Sequence, residues 1–196
     1  MSAPAADHTD HDQEWDELVR IWQGTDAPGG CKVEIVEGTV TVSPPPLRAH
    51  HDIADTVQRR LYGVIPEDWG IYQTLGTAVP SRDGLYIPDL ALVPKSVLRA
   101  EPGHFVSASA PELIVEITSK STAGNDRIKK PAGYAHAGVP LYLLIDGWAS
   151  GGPTATLYGE PENGVYRVLQ AAKFGDPIRL PAPFGLDLDT SSFPTP

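Results

Sequence analysis

Two acidic side chains and a lysine sit where an apolar core gives them no ordinary place. Asp89 opens the run LALV, Glu116 interrupts LIV and IT, and Lys130 follows Glu116 by fourteen residues. Side chains of a strand alternate between its faces, so Glu116 shares a face with Ile114 and Thr118 while Val115 and Ile117 point to the opposite layer. If the strands of Asp89 and Glu116 are neighbours, their carboxylates converge, and they repel unless one is protonated or a cation lies between them. Oxygen ligands favour Mg²⁺ or Mn²⁺ over zinc. Cys31 is the only cysteine, which excludes an intrachain disulfide and a multi-cysteine zinc site. The plainer alternative is that Asp89, after Pro88, caps a turn and that Glu116 pairs with a basic residue of a helix. Between Lys120 and Lys130 the chain places Lys120, Arg127, Lys129 and Lys130 against Asp126 alone. That basic patch fits either a nucleic-acid backbone or a solvated helix face.

These residues need elements to position them. Residues 70–79 and 85–93 read as strands about the turn SRDG, and residues 112–118 as a third, all three expected side by side. A helix is expected from about Asn125 to His136, stopped by Gly138 with Pro140 beyond it. Pro131 removes a helical hydrogen bond at roughly 3 kcal/mol if it lies in the interior, so the regular part is expected to begin near Lys130. The apolar strand 141–146, LYLLID, completes a strand, helix, strand unit of the parallel crossover kind.

Around this centre the pattern predicts a helix from Trp15, Leu18, Val19 and Trp22, with Thr9 or Asp10 as cap and Gly24 as end. The two tryptophans read as core or oligomer-contact residues. Residues 32–43 predict a hairpin about Glu37 and Gly38, with Val33, Ile35, Val40 and Val42 on its buried face and Glu34 on the solvent side. From His50 to Ile65, the spacing of Ile53, Val57, Leu61 and Val64 gives an amphipathic helix closed by Pro66. Strands at 154–158 and 164–170 flank GEPENG, and the Pro-rich tail after Asp176 reads as a loop with a short strand. The expected class is α/β (α+β): a central mixed sheet flanked by helices, with additional β-hairpins. It is read as one domain over residues 13–196 behind a disordered tail of residues 1–12.

Composition bounds the partners. Among 196 residues, 15 Lys and Arg face 25 Asp and Glu, a formal charge of −10. The global field therefore repels polyanions, and any DNA or RNA binding must be local. No apolar run approaches the roughly 20 residues of a membrane helix, and the acidic start MSAPAADHTDHDQEWDEL lacks the features of a secretory signal, so a cytoplasmic location is expected. No G-x-x-x-x-G-K-(S/T) loop or G-x-S-x-G elbow is present.

The runs IPDLALVP, PELIVEITSKST and NDRIKKPAGYAHAGVPLYLLID, preceded by EIVEGTVTVSPPPLRAHHDIA, resemble the Uma-type restriction endonuclease family, a bacterial branch of the PD-(D/E)xK phosphodiesterases. The similarity spans roughly residues 32 to 146. It implies a restriction-endonuclease-like core and a Mg²⁺- or Mn²⁺-dependent DNA endonuclease. It puts Asp89 in the role of the PD aspartate and Glu116 in that of the second acidic ligand, with the carbonyl of Ile117 as a further metal ligand. The lysine of the plain motif would stand at Thr118. In this branch it resembles instead a helical D-x-x-x-K-x-x-x-Y pattern, which Asp126, Lys130 and Tyr134 match, so Lys130 is chosen over Lys120 and Lys129. The resemblance further implies Glu34 as an additional metal or supporting ligand and His50 as a site residue, with His51 chemically equivalent. Lys120, Arg127 and Lys129 are the expected substrate-binding residues. A homodimer is expected, because two related sites most simply cut two strands. The alternatives are a noncatalytic binding or regulatory module that retains the nuclease fold, or a phosphodiesterase acting on RNA or small nucleotides.

Overall fold

The computed structural model describes residues 6–100 and 102–195. Helix α1 (Ala6–Gly24) ends at the expected glycine but begins inside the segment expected as a disordered tail. Residues 1–5 of that segment lie outside the described residues. Between Ala6 and Asp12 the chain has neither Pro nor Gly, so nothing local stops the helix from extending towards its N-terminus. The far end of α1 is held by packing. Trp15 and Trp22 meet Phe105 edge-on with ring centroids 6.5 and 6.3 Å apart, and the Trp22 indole donates to the carbonyl of Val33 at 2.6 Å.

β1 (Lys32–Val36) and β2 (Thr39–Ser43) form the expected hairpin. Glu37 and Gly38 at its turn have φ of 48° and 74°, the paired left-handed geometry whose twist suits a two-residue hairpin. Its faces differ from the simple alternation. Glu34 and, on the opposite face of β1, the expected Ile35 are both buried, whereas Val42 of the edge strand β2 is exposed.

After α2 (Arg48–Tyr62) come β3 (Trp69–Tyr72), β4 (Gly76–Val79), β5 (Gly84–Tyr86) and β6 (Leu90–Pro94). The two long strands expected at 70–79 and 85–93 are thus each broken, and their halves join different sheets. Thr74, at φ 59°, leaves the extended region. Pro88 offers no N–H to a ladder. A short α3 (Lys95–Ala100), β7 (Phe105–Ser107) and β8 (Leu113–Ile117) follow. A π-helical turn over Asn125–Lys129 leads into α4 (Lys130–Ala137), and then come β9 (Leu141–Asp146), β10 (Thr154–Glu162), β11 (Val165–Lys173), β12 (Ile178–Leu180) and β13 (Leu186–Leu188).

The smaller main sheet has the order β2-β1-β5-β4-β7 and the larger one β11-β10-β9-β8-β6-β3. β8 and β9 are parallel and joined through α4, while every other neighbouring pair of the larger sheet is antiparallel. The tail forms not one strand but a pair, β12 with β13. It buries Ile178, Leu180, Leu186 and Leu188 in the same core as Ile53, Val57 and Leu61 of α2 and Val115, Ile117 and Leu143 of the sheet. The opposite face packs Ile114, Tyr142 and Leu144 against Tyr134 of α4 and Tyr86 of β5. Glu116 belongs to this second face, beside α4, as the period of two requires.

Pro131 lies in the first turn of α4, where a missing N–H costs little. Upstream, the Lys130 N–H reaches the carbonyl of Asn125, and the wide turn carries the helix through without a break. Gly138, at φ 80°, ends α4 by donating to the carbonyls of Tyr134 and Ala135. Gly133 lets α4 approach closely, since a Cβ there would lie 2.4 Å from the Tyr86 hydroxyl.

Candidate active site

The break that separates β5 from β6 brings the first acid to the seam between the two sheets. Asp89 directly precedes β6, Glu116 comes from β8, Glu34 from the middle of β1 and Lys130 from the first turn of α4. With Lys32, His50, Pro44, Ser119 and Asp126 they line one cleft that opens to solvent. Asp89, Glu116, Glu34, Asp126 and Lys130 are all buried.

Lys130 is only 2% exposed and lies among three carboxylates. Its Nζ is 2.9 Å from Glu34 Oε1, 3.1 Å from Glu116 Oε1 and 3.1 Å from Asp126 Oδ1. The ammonium donates a hydrogen bond to Glu116 Oε1, while Glu34 and Asp126 stand at ion-pair distance. The i, i+4 spacing puts Asp126 and Lys130 on one face despite Pro131, as the continuous backbone permits. Glu34 Oε1 also accepts from the backbone N–H of Ile87 at 2.7 Å, which ties β1 to the segment that delivers Asp89.

Asp89 has a separate set of partners. Its Oδ2 accepts from the Ile117 N–H at 2.7 Å and lies 3.0 Å from His50 Nε2, and its Oδ1 pairs with Lys32. Lys32 Nζ also donates to the carbonyl of Ile87 at 3.2 Å. Burial works against the charged form of Asp89, but Lys32 and His50 outweigh it and hold the carboxyl well below its ordinary range. Burial likewise disfavours charge on Lys32 and Lys130, yet the surrounding acids raise both.

The other acids respond in the opposite direction. Burial pushes the Glu116 carboxyl well above its usual range, against the pull of Lys130 and with added repulsion from Asp126 and Asp89. Asp126 is raised by burial against the attraction of Lys130 and a hydrogen bond from Thr122. Four carboxyl groups face two ammonium groups in this cleft, and burying more acids than the lysines neutralise is costly, which is why Glu116 and Asp126 hold their protons more firmly than free carboxyls do.

A hard divalent cation fits this donor set: oxygen ligands, no thiol, and an excess of negative charge. Asp89 and Glu116, which line the cleft together, would hold it. Among the described residues, no three His, Cys, Asp or Glu side chains stand grouped for a metal. Lys130 Nζ occupies the space that Glu34, Glu116 and Asp126 surround.

The remaining sequence candidates divide. Tyr134 is buried behind Lys130, its hydroxyl 3.3 Å from Thr77 Oγ1. Arg127 turns away from the cleft into a two-pronged pair with Asp146, at 2.7 and 2.9 Å, and donates to the Trp148 carbonyl at 2.9 Å. Lys129 pairs with Glu37 at 3.2 Å, and Lys120 is exposed. His51 meets His50 edge-on, with ring centroids 5.7 Å apart, and does not line the cleft, whereas His50 does. Lys32 is the site residue that sequence reasoning missed. The signal was present, since in KVEIV it stands two places before Glu34 and so shares its strand face.

The family model Uma2, described as "Putative restriction endonuclease", matches residues 15–191. A crystal structure from Anabaena variabilis, titled a putative nuclease belonging to DUF820, has the same fold with a TM-score of 0.68. It is 19% identical to this chain, and the similarity covers 91% of this chain and 96% of that one. No curated protein matches the chain significantly.

Proposed function

The chain belongs to the Uma2 family, described as "Putative restriction endonuclease", and from that premise we propose a divalent-metal-dependent phosphodiester hydrolase of the PD-(D/E)xK type that cleaves DNA. One observation carries the reading. Two carboxylates from distant stretches of chain, Asp89 and Glu116, line one solvent-open cleft together with a buried lysine from the following helix. The net charge of −10 makes such local chemistry the only route to a polyanionic substrate.

In this reading Asp89 and Glu116, with the carbonyl of Ile117, hold Mg²⁺ or Mn²⁺. The ion supplies positive charge against the phosphate oxygens and makes a nearby water a stronger acid. Ile117 donates its N–H to Asp89, so the strand that provides one ligand also orients the other. Lys130 acts chiefly as a positioning residue, because its ammonium is already enclosed by Glu34, Glu116 and Asp126 and donates to Glu116. Exposed Lys120 is a backbone contact for DNA, and a homodimer would present two such clefts to the two strands.

The test is cleavage of plasmid and oligonucleotide DNA with and without Mg²⁺ or Mn²⁺, comparing wild type with Asp89→Ala and Glu116→Ala. The proposal expects a metal-dependent product that falls by about 100-fold or more in each variant. No product under any condition, or equal activity in the variants, would refute it. An RNA substrate run in parallel separates the two polymers.

A further inference from the structure

We infer that Lys32 is a second lysine of this site, one that holds Asp89 until a divalent ion takes its place and then binds a phosphate oxygen of the substrate. The inference rests on the metal-dependent reading above and assigns a role to a residue that reading does not use. Both oxygens of Asp89 are taken, but by partners of different kinds. Oδ2 is bonded to the backbone N–H of Ile117 in β8 and faces His50 of α2, whose side chain is 13% exposed. Oδ1 faces Lys32. A backbone amide in a sheet cannot leave, whereas Lys32 sits on a flexible four-carbon stem, is 21% exposed and lines the cleft. Lys130 is the contrast, at 2% exposure and enclosed by three acids.

An ammonium group and a divalent cation cannot share one carboxylate oxygen without strong repulsion in a partly buried site. Entry of the ion at Asp89 therefore displaces Lys32. Its strand keeps the ammonium at the cleft mouth, beside the Ile87 carbonyl that it already touches at 3.2 Å. There, with Glu34, Glu116 and Asp126 grouped about Lys130, a substrate phosphate can take the place of Asp89. In the metal-free protein the same lysine keeps Asp89 in place.

Two measurements on purified Lys32→Gln and wild-type protein test this, because the exchange predicts opposite signs. Removing the competitor should tighten Mn²⁺ binding, read by titration calorimetry, about tenfold. Removing the phosphate contact should weaken binding of a short DNA duplex in Ca²⁺, used to slow turnover, about tenfold, and lower the slope of log affinity against log salt by about one. Unchanged or weaker Mn²⁺ binding, or two shifts in the same direction, would overturn the inference. Equal Mn²⁺ binding by both proteins refutes the role of Lys32 alone. Failure of wild type and variant alike to bind Mn²⁺ refutes the metal reading and this inference with it. Lys32→Arg, which keeps the charge, covers the case in which the glutamine variant does not fold. It should bind Mn²⁺ no more tightly than wild type, and a tenfold gain would count against the competition.

Discussion

The site is held together by residues that oppose one another. Burial raises the Glu116 carboxyl above its ordinary value of 4.5, so the folded state retains a proton that the unfolded chain releases. Stability attributable to Glu116 therefore falls as pH rises from about 4.5 through the folded value. Glu116→Gln removes that penalty. In urea unfolding the variant should be more stable than wild type at pH 8, with the gain disappearing once pH drops below the ordinary glutamate range. Lys130→Ala should do the reverse, losing about 3–5 kcal/mol at neutral pH because it leaves buried acids without their cation. That is a large share of the roughly 5–15 kcal/mol that holds a typical domain folded. A Glu116→Gln protein less stable than wild type at every pH would contradict this account. Asp89 and Glu116 were legible in the sequence because charge inside an apolar run is conspicuous, and Lys130 was singled out from its neighbouring lysines through the family's helical pattern. Glu34 was legible only through family resemblance, since alternation within its hairpin predicts a solvent face. Lys32 was not seen because a lysine at the start of a strand looks like ordinary surface.

At the scale of elements, the acids depend on where β8, β9 and the π turn end. Asp146 joins all three. It accepts from Thr118 Oγ1 at 2.9 Å, from the Trp148 N–H at 3.0 Å and from both prongs of Arg127. Burial opposes its charged form, but these donors prevail and lower its carboxyl below 3.8. Its contribution is therefore present above pH of about 3.8 and is lost as pH falls through the folded value. Asp146→Asn should cost about 1–3 kcal/mol in denaturant unfolding at pH 7, towards the lower figure because Arg127 is partly exposed. The difference should narrow in acid, and a cost that stays constant from pH 7 to pH 3 would contradict the assignment. Helical and strand periodicity revealed α2, β8, α4 and β9, and the position of Pro131 showed where α4 becomes regular. The breaks at Thr74 and at Ile87–Asp89 were not legible. A run such as LYIPDLALV has strand composition on both sides of its proline, and only tertiary pairing decides that the halves serve different sheets. That unseen break is what delivers Asp89 to the cleft.

For the molecule as a whole, charge sets the conditions under which the site can work. A chain of formal charge −10 repels a duplex at long range, and in the proposed reading Lys120 and a divalent ion at the cleft would have to overcome that locally. Fluorescence anisotropy with a labelled duplex should show binding that is weak without divalent ions, strengthens at least about tenfold in Ca²⁺, and weakens steeply with salt. Binding indifferent to divalent ions would favour a noncatalytic module that retained the fold. Among the described residues no helix is long and apolar enough to cross a membrane. The mixed sheet flanked by helices was anticipated from the element order, whereas the second main sheet arises from pairings that single-sequence patterns do not specify.

The most direct measurement is the anomalous difference density of a crystal grown with Mn²⁺. The account predicts one strong peak bonded to carboxylate oxygens of both Asp89 and Glu116, with Lys32 moved off Asp89. A map with no peak in the cleft at saturating Mn²⁺, or with the ion bound elsewhere while Lys32 stays on Asp89, would contradict it.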